Sequence, residues 1–153
     1  MCCFVRPGVI ALTWPEDKSD PQYSISEEAY EILSIQTDAQ GRQFEIHKIP
    51  HPSPQFITQD ESRGIKKVLK TISRDTGDRL SASYINFYTP NNGVVVPGFG
   101  DQMDEKARKA LEGLFPDRTV ITVPARELLL GGGAIHCVVH EVPVLRTQAH
   151  FNS

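Results

Sequence analysis

The segment Gly131-Gly-Gly-Ala-Ile-His-Cys137 holds the residue types in this chain best suited to covalent chemistry. Three successive glycines let the backbone take φ > 0 and let a ligand or a second segment approach closely. A cysteine placed just past such a turn, at the start of a strand, can face a cleft and attack an electrophilic carbon as thiolate. The same letters also describe a glycine turn followed by a buried structural cysteine, because free cysteine is among the most buried residue types. The local sequence leaves both readings open. A nucleophilic thiol also needs a base or a cation to hold it as thiolate, and His136 and His140 are nearest along the chain. Ile135–Val142 reads as a strand, in which successive side chains point to opposite faces. Both histidines would then oppose Cys137. That geometry argues against either as its base, and against a metal site built from His136, Cys137 and His140, which would also need ligands from elsewhere.

Two other motifs invite a functional reading and fail it. Asp101 to Glu105 is rich in carboxylates but lacks the ligand spacing of a calcium loop, and it fits a helix N-terminus. Gly98-Phe-Gly100 before a helix has the form of a phosphate turn, yet Asp101 and Asp104 would repel a phosphate there. No metal and no cofactor is expected.

Elements that would position Cys137 follow from pattern. Val9–Trp14 is a short apolar run that suits a buried strand, and Pro15–Pro21 is a loop of breakers and charges. A helix is expected from an N-cap at Ser26 through Leu33. Phe44–Ile49 alternates as a half-buried strand, and Glu61–Leu69 is at best a short helix. Ala82–Tyr88 alternates again, and Asn91-Asn-Gly93 then signals a hairpin into Val94–Val96. Asp101 should cap a helix over Met103–Leu114, followed by a strand at Thr119–Val123 and the last one at Ile135–Val142. The order is one complete ββαβ unit, preceded by a similar unit whose opening strand is missing. Related units at this spacing suggest a repeat architecture cut short.

Composition narrows the partners. The chain has 153 residues, 39% hydrophobic, with a formal net charge of −3. That size suits one domain. The slight acidity gives no electrostatic reason to bind nucleic acid or an anionic membrane and at most favours a cationic ligand. No apolar run approaches the length of a spanning helix. The cysteines are Cys2, Cys3 and Cys137, an odd count that suits a reducing, cytoplasmic setting better than a disulfide framework.

Several blocks carry a wider resemblance: Met1-Cys-Cys-Phe-Val-Arg-Pro-Gly8, Ser19-Asp-Pro-Gln-Tyr23, Ser83-Tyr-Ile-Asn-Phe-Tyr88, Val96-Pro-Gly-Phe-Gly-Asp101, Phe115-Pro-Asp-Arg118 and Gly131 to Cys137. In this order, from Met1 to about Pro143, they resemble the agmatine deiminases of the Porphyromonas-type peptidylarginine deiminase family. The resemblance implies the pentein fold, a five-bladed α/β propeller of ββαβ units, of which this chain would hold about two blades. Residues 1–143 would form the C-terminal part of the catalytic domain, and residues 144–153 a tail. It implies hydrolysis of the guanidinium of agmatine to N-carbamoylputrescine and ammonia, on a route to putrescine. Cys137 would be the nucleophile that forms a thiouronium intermediate, Asn86 an active-site asparagine beside it, and Gly132, Gly133 and His136 substrate-binding residues.

The departures from the family pattern matter too. The family's acid/base histidine lies in a Gly-His-x-Asp-Asn motif just before the Met-Cys-Cys-Phe block, and its guanidinium-binding carboxylates lie further upstream. Neither is present in these residues, so the chain is expected to be inactive alone and to self-associate or pair with a missing N-terminal half. Ala134 stands where the family usually has asparagine, and Gly98 where it often has glutamine. Alternatives are a non-catalytic remnant or interaction module of the same fold, a peptidyl-arginine deiminase, or a redox protein using its thiols.

Overall fold

The computed structural model describes residues 2–66 and 74–142. Two related units follow one another, and the first, not the second as expected, is the complete ββαβ. In the first, β1 (Cys2–Arg6) runs antiparallel to β2 (Val9–Trp14), helix α1 (Pro21–Ser34) crosses over, and β3 (Glu45–Pro50) returns parallel to β2. The sheet order is β1-β2-β3, with Val9 opposite Glu45 and Trp14 opposite Pro50. As the central strand, β2 is covered on both sides, so its run Val9-Ile-Ala-Leu12 is continuously buried, not alternating.

The opening strand expected to be missing is therefore present. Pro7-Gly8 is the turn between β1 and β2, with Gly8 at φ 79°. Helix α1 starts earlier than Ser26. Asp20 is its N-cap, accepting from the Gln22 backbone N–H at 2.8 Å, and Pro21 follows at the first turn, where its missing N–H costs nothing. Ser26 is a buried helix residue that meets the Gln22 side chain. Trp14 receives the edges of Tyr23 and Tyr30 from α1, and the Lys48 ammonium from β3 sits 3.5 Å over its ring centroid.

After a short helix α2 (Gln59–Gly64), the second unit runs through β4 (Gly93–Gly98), helix α3 (Asp104–Leu114) and β5 (Thr119–Pro124). Strand β5 is parallel to β4, with Gly93 opposite Thr119. The helix expected at Glu61–Leu69 is α2, and positions 67–69 lie outside the described residues. Ala82–Tyr88 does not form a strand. Ala82, Ser83 and Tyr84 are buried in succession, Asn86 N–H turns back to the Ser83 carbonyl, and only Tyr88 pairs with Val95. The tight connection at Asn91-Asn-Gly93 is present, with Asn92 at φ 62°. Helix α3 begins at Asp104, because Asp101 caps the preceding turn by accepting from Met103 N–H at 2.8 Å. The run Leu128-Leu-Leu130 ends a further helix, α4 (Arg126–Leu130).

One core joins both units. Ile49 from β3 and Ala11 from β2 pack into the same cluster as Val94, Val96, Leu111 and Leu129. Helix α3 lies against both β5 and β3. Among the described residues no helix is long and apolar enough to cross a membrane.

Candidate active site

The strand expected at Ile135–Val142 is a single 3-10 turn over His136–Val138. Cys137 N–H bonds back to the Ala134 carbonyl and Val138 N–H to that of Ile135, each at 3.2 Å. Most of the turn's backbone is satisfied locally, and one bond reaches outside it, from His136 N–H to the Asn86 carbonyl at 3.2 Å. The turn removes the premise that His136 and Cys137 face opposite ways, because consecutive residues of a 3-10 turn are only about 120° apart. Among the described residues, no histidine is hydrogen-bonded to the Cys137 sulfur, and no group of three His, Cys, Asp or Glu is placed to hold a metal ion.

What carries Cys137 is packed below and open above. Ala134 and Ile135 are buried, whereas Cys137 is exposed, so the buried structural cysteine is not what forms. Glycine is required at two positions, by backbone conformation at Gly132 and by space at Gly133. Gly132 has φ 107°, and the Arg74 guanidinium occupies the space where its Cβ would stand, with Nη2 donating to the Gly131 carbonyl at 3.2 Å. Arg74 Nη1 also donates to the Leu130 carbonyl. At Gly133 a Cβ would lie 2.5 Å from Cys137 Sγ. Glycine thus lets the thiol fold back over its own turn.

Asn86 is delivered from the other side by the 83–86 turn. Buried aromatic rings flank it in sequence: Tyr84, whose hydroxyl donates to Asp104 Oδ1 at 2.6 Å, and Phe87, edge-on to Phe115. Burial, with the Asp104 carboxylate adding to it, holds the Tyr84 phenol well above its ordinary pKa, so it stays a donor. The Asn86 amide oxygen accepts from the His136 backbone N–H at 2.9 Å, and its Nδ2 donates to Cys137 Sγ at 3.3 Å. A backbone N–H can only donate, so it commits the amide oxygen and turns the NH2 toward sulfur.

Cys137, Asn86, Gly132, Gly133 and His136 line one open pocket of about 540 Å3. Residues that the sequence did not single out for this site share it: Cys2, Cys3, Ser83 and Glu141. Burial, reinforced by Cys2, pushes the Cys3 thiol up to about 11, which keeps it protonated near neutral pH. His140 is not in the lining. Ala134, at a position where asparagine was expected, is a wholly buried methyl. A side chain at Gly98 would meet Thr122 of β5 at 2.6 Å, so glycine suits this chain's strand pair.

The likeness of this chain to known proteins covers the same residues. It is 56% identical over 140 residues to a Listeria monocytogenes protein provisionally named agmatine deiminase 1, and 46% identical over 142 residues to the agmatine deiminase of Pseudomonas syringae pv. syringae. These matches take in 92% and 93% of this chain but only 39% of either relative, so the chain spans about two fifths of their length. A solved structure of Enterococcus faecalis agmatine deiminase superimposes on 88% of this chain and 37% of its own, with a TM-score of 0.81 at 39% identity. The ββαβ unit and the βαβ unit that follows it are thus part of a pentein-type α/β fold. With the sequence model of the Porphyromonas-type peptidyl-arginine deiminases matching residues 1–143, the chain belongs to that family.

Proposed function

We propose that this chain carries the nucleophile side of an agmatine-hydrolysing site, with Cys137 as nucleophile. The observation that carries the proposal is the Asn86 amide, held by the His136 backbone and donating to an exposed Cys137 sulfur in a pocket. Agmatine is favoured over peptidyl-arginine because relatives at 46% and 56% identity bear the agmatine deiminase name.

In this reading Sγ adds to the guanidinium carbon, and the C=N electron pair moves onto nitrogen. Collapse expels ammonia and leaves a thiouronium on Cys137. Water then adds to the same carbon, Sγ departs with its electron pair, and N-carbamoylputrescine is released toward putrescine. The Asn86 NH2 stabilises negative charge on sulfur before attack and again when it leaves. Gly132 and Gly133 line the wall beside Sγ, where the missing side chain of Gly133 lets the thiol fold back over its own turn, and His136 closes the same wall.

Proton transfer is the part these residues do not supply. No His, Asp or Glu among the described residues is hydrogen-bonded to Sγ, and general acid–base help is worth ~10²–10⁴ in rate. We assign that group to a separate segment that completes the site, in a cytoplasmic enzyme needing no cofactor. β3 and β5 end their sheets and offer open edges for such a segment. Ammonia release from agmatine tests this on the chain alone, on the chain joined to the N-terminal part of a full-length relative, and on the joined form carrying Cys137→Ser. Activity is expected only in the joined form with Cys137 intact. Rapid turnover by the chain alone would mean that a group within it, such as His136, moves the proton.

A further inference from the structure

We propose that Glu141 is a specificity-determining residue of this pocket, one that favours amidinium- or guanidinium-bearing cations over neutral molecules of the same shape. The inference rests on the reading of Cys137 as the nucleophile.

The charge inventory of the pocket carries it. Among the described lining residues, Glu141 is the sole carboxylate, and no lysine or arginine accompanies it. Ser81, Ser83, Asn86 and Thr89 contribute neutral polar atoms only. Glu141 is exposed, and it forms no ion pair with any other described residue. Elsewhere in the chain carboxylates are commonly committed: Asp20 to Arg79, Glu61 to Arg126 and Glu105 to Arg108. The Arg74 guanidinium behind Gly132 is turned to the Leu130 and Gly131 carbonyls. A carboxylate without an ion-pair partner among the described residues, four positions after the nucleophile and in the lining of the same pocket, therefore has negative potential to offer a cation. Ser83 adds an independent sign of a polar ligand. It is 7% exposed, its buried Oγ has no hydrogen-bond partner among the described residues, and the residue lines the same pocket.

Two alkylating probes of one shape separate charge from reactivity. 2-Chloroacetamidine is a cation near neutral pH, and 2-chloroacetamide is neutral. With either, an S–C bond forms at Cys137, the C–Cl bond breaks, chloride leaves with the electron pair, and the thiol proton goes to solvent. The quantity read is the ratio of the two rates at Cys137, by peptide mapping. In Glu141→Gln the cation rate should fall about 3- to 10-fold while the neutral rate holds, the effect of one partly screened charge. Glu141→Lys should lower the ratio further, and raising salt should erode the wild-type preference but not that of Glu141→Gln. An unchanged ratio in both variants would overturn the assignment of Glu141 and leave Cys137 standing. Failure of the amidine to label Cys137 in the unmodified chain would instead overturn the nucleophile, and this proposal with it.

Discussion

Replacing Gly133 by alanine should silence Cys137 at modest cost to the fold. A Cβ built at Gly133 stands 2.5 Å from Cys137 Sγ and 2.6 Å from its Cβ, whereas favourable contacts between such atoms lie near ~3.5–4 Å. About 1 Å of movement is therefore needed. The intruding neighbour is not a flexible chain end: Cys137 is short, and its backbone is tied by the 3-10 turn to buried Ala134 and Ile135. Rotating the thiol would clear Sγ but not Cys137 Cβ, so the turn itself must shift, and that shift abandons the 3.3 Å bond from Asn86. Gly133 is not in the positive-φ region, so the penalty is steric and not backbone strain. Overpacking of this kind typically costs about 1–3 kcal/mol, or about 2–10 °C in a domain of this size. A reacting atom displaced by 1 Å can lose ~10² in rate. Chloroacetamide labelling read by peptide mapping, with exposed Cys2 as internal reference, gives the Cys137 rate, and a thermal melt gives the stability. Wild-type labelling of Cys137 together with an unshifted melt would refute the reasoning, because the thiol would then not rest on that glycine.

Asn86→Ala should slow chloroacetamide attack at Cys137 by about 3- to 10-fold, the worth of one hydrogen bond, and leave Cys2 unaffected. Lys48→Met removes the cation that the Trp14 and Tyr30 rings enclose and should cost about 0.5–1 kcal/mol in urea unfolding. Trp14 is the sole tryptophan, so its fluorescence reports that transition. Acid should destabilise the chain partly through Glu61, which the Arg126 guanidinium, with the Thr58 backbone N–H, holds down at about 2. The unfolded state binds more protons than the folded one between the unfolded value of ~4.3 and about 2, so this contribution is complete above that window and is lost as pH falls through it. Glu61→Gln should flatten the dependence of unfolding free energy on pH over the same interval and leave the slope near neutrality unchanged.

Much of this molecule was legible in its residues. The apolar run at Val9–Trp14, the Asn-Gly turn after Pro90 and the strand at Thr119 announce themselves, because propensity, burial and turn chemistry agree there. The Gly-Gly-Gly-Ala-Ile-His-Cys run marked the candidate nucleophile, since glycine spacing and a thiol are properties of the letters themselves. The misreadings share one cause. β1 was missed as the opening strand because a turn residue such as Gly8 and a loop breaker are written alike, and only pairing with β2 tells them apart. Ala82–Tyr88 and Ile135–Val142 alternate like strands, yet a strand needs an edge to bond to. Tertiary packing offered a bridge at Tyr88 and a single backbone bond between His136 and Asn86, and bent the rest into turns. Those two turns are what bring Asn86 and Cys137, fifty-one positions apart, to 3.3 Å. Local sequence determined which groups could react. Which way the Asn86 amide faces, and that Glu141 shares the pocket of Cys137, were decided only by long-range packing, because those relations exist between segments and not within any one of them.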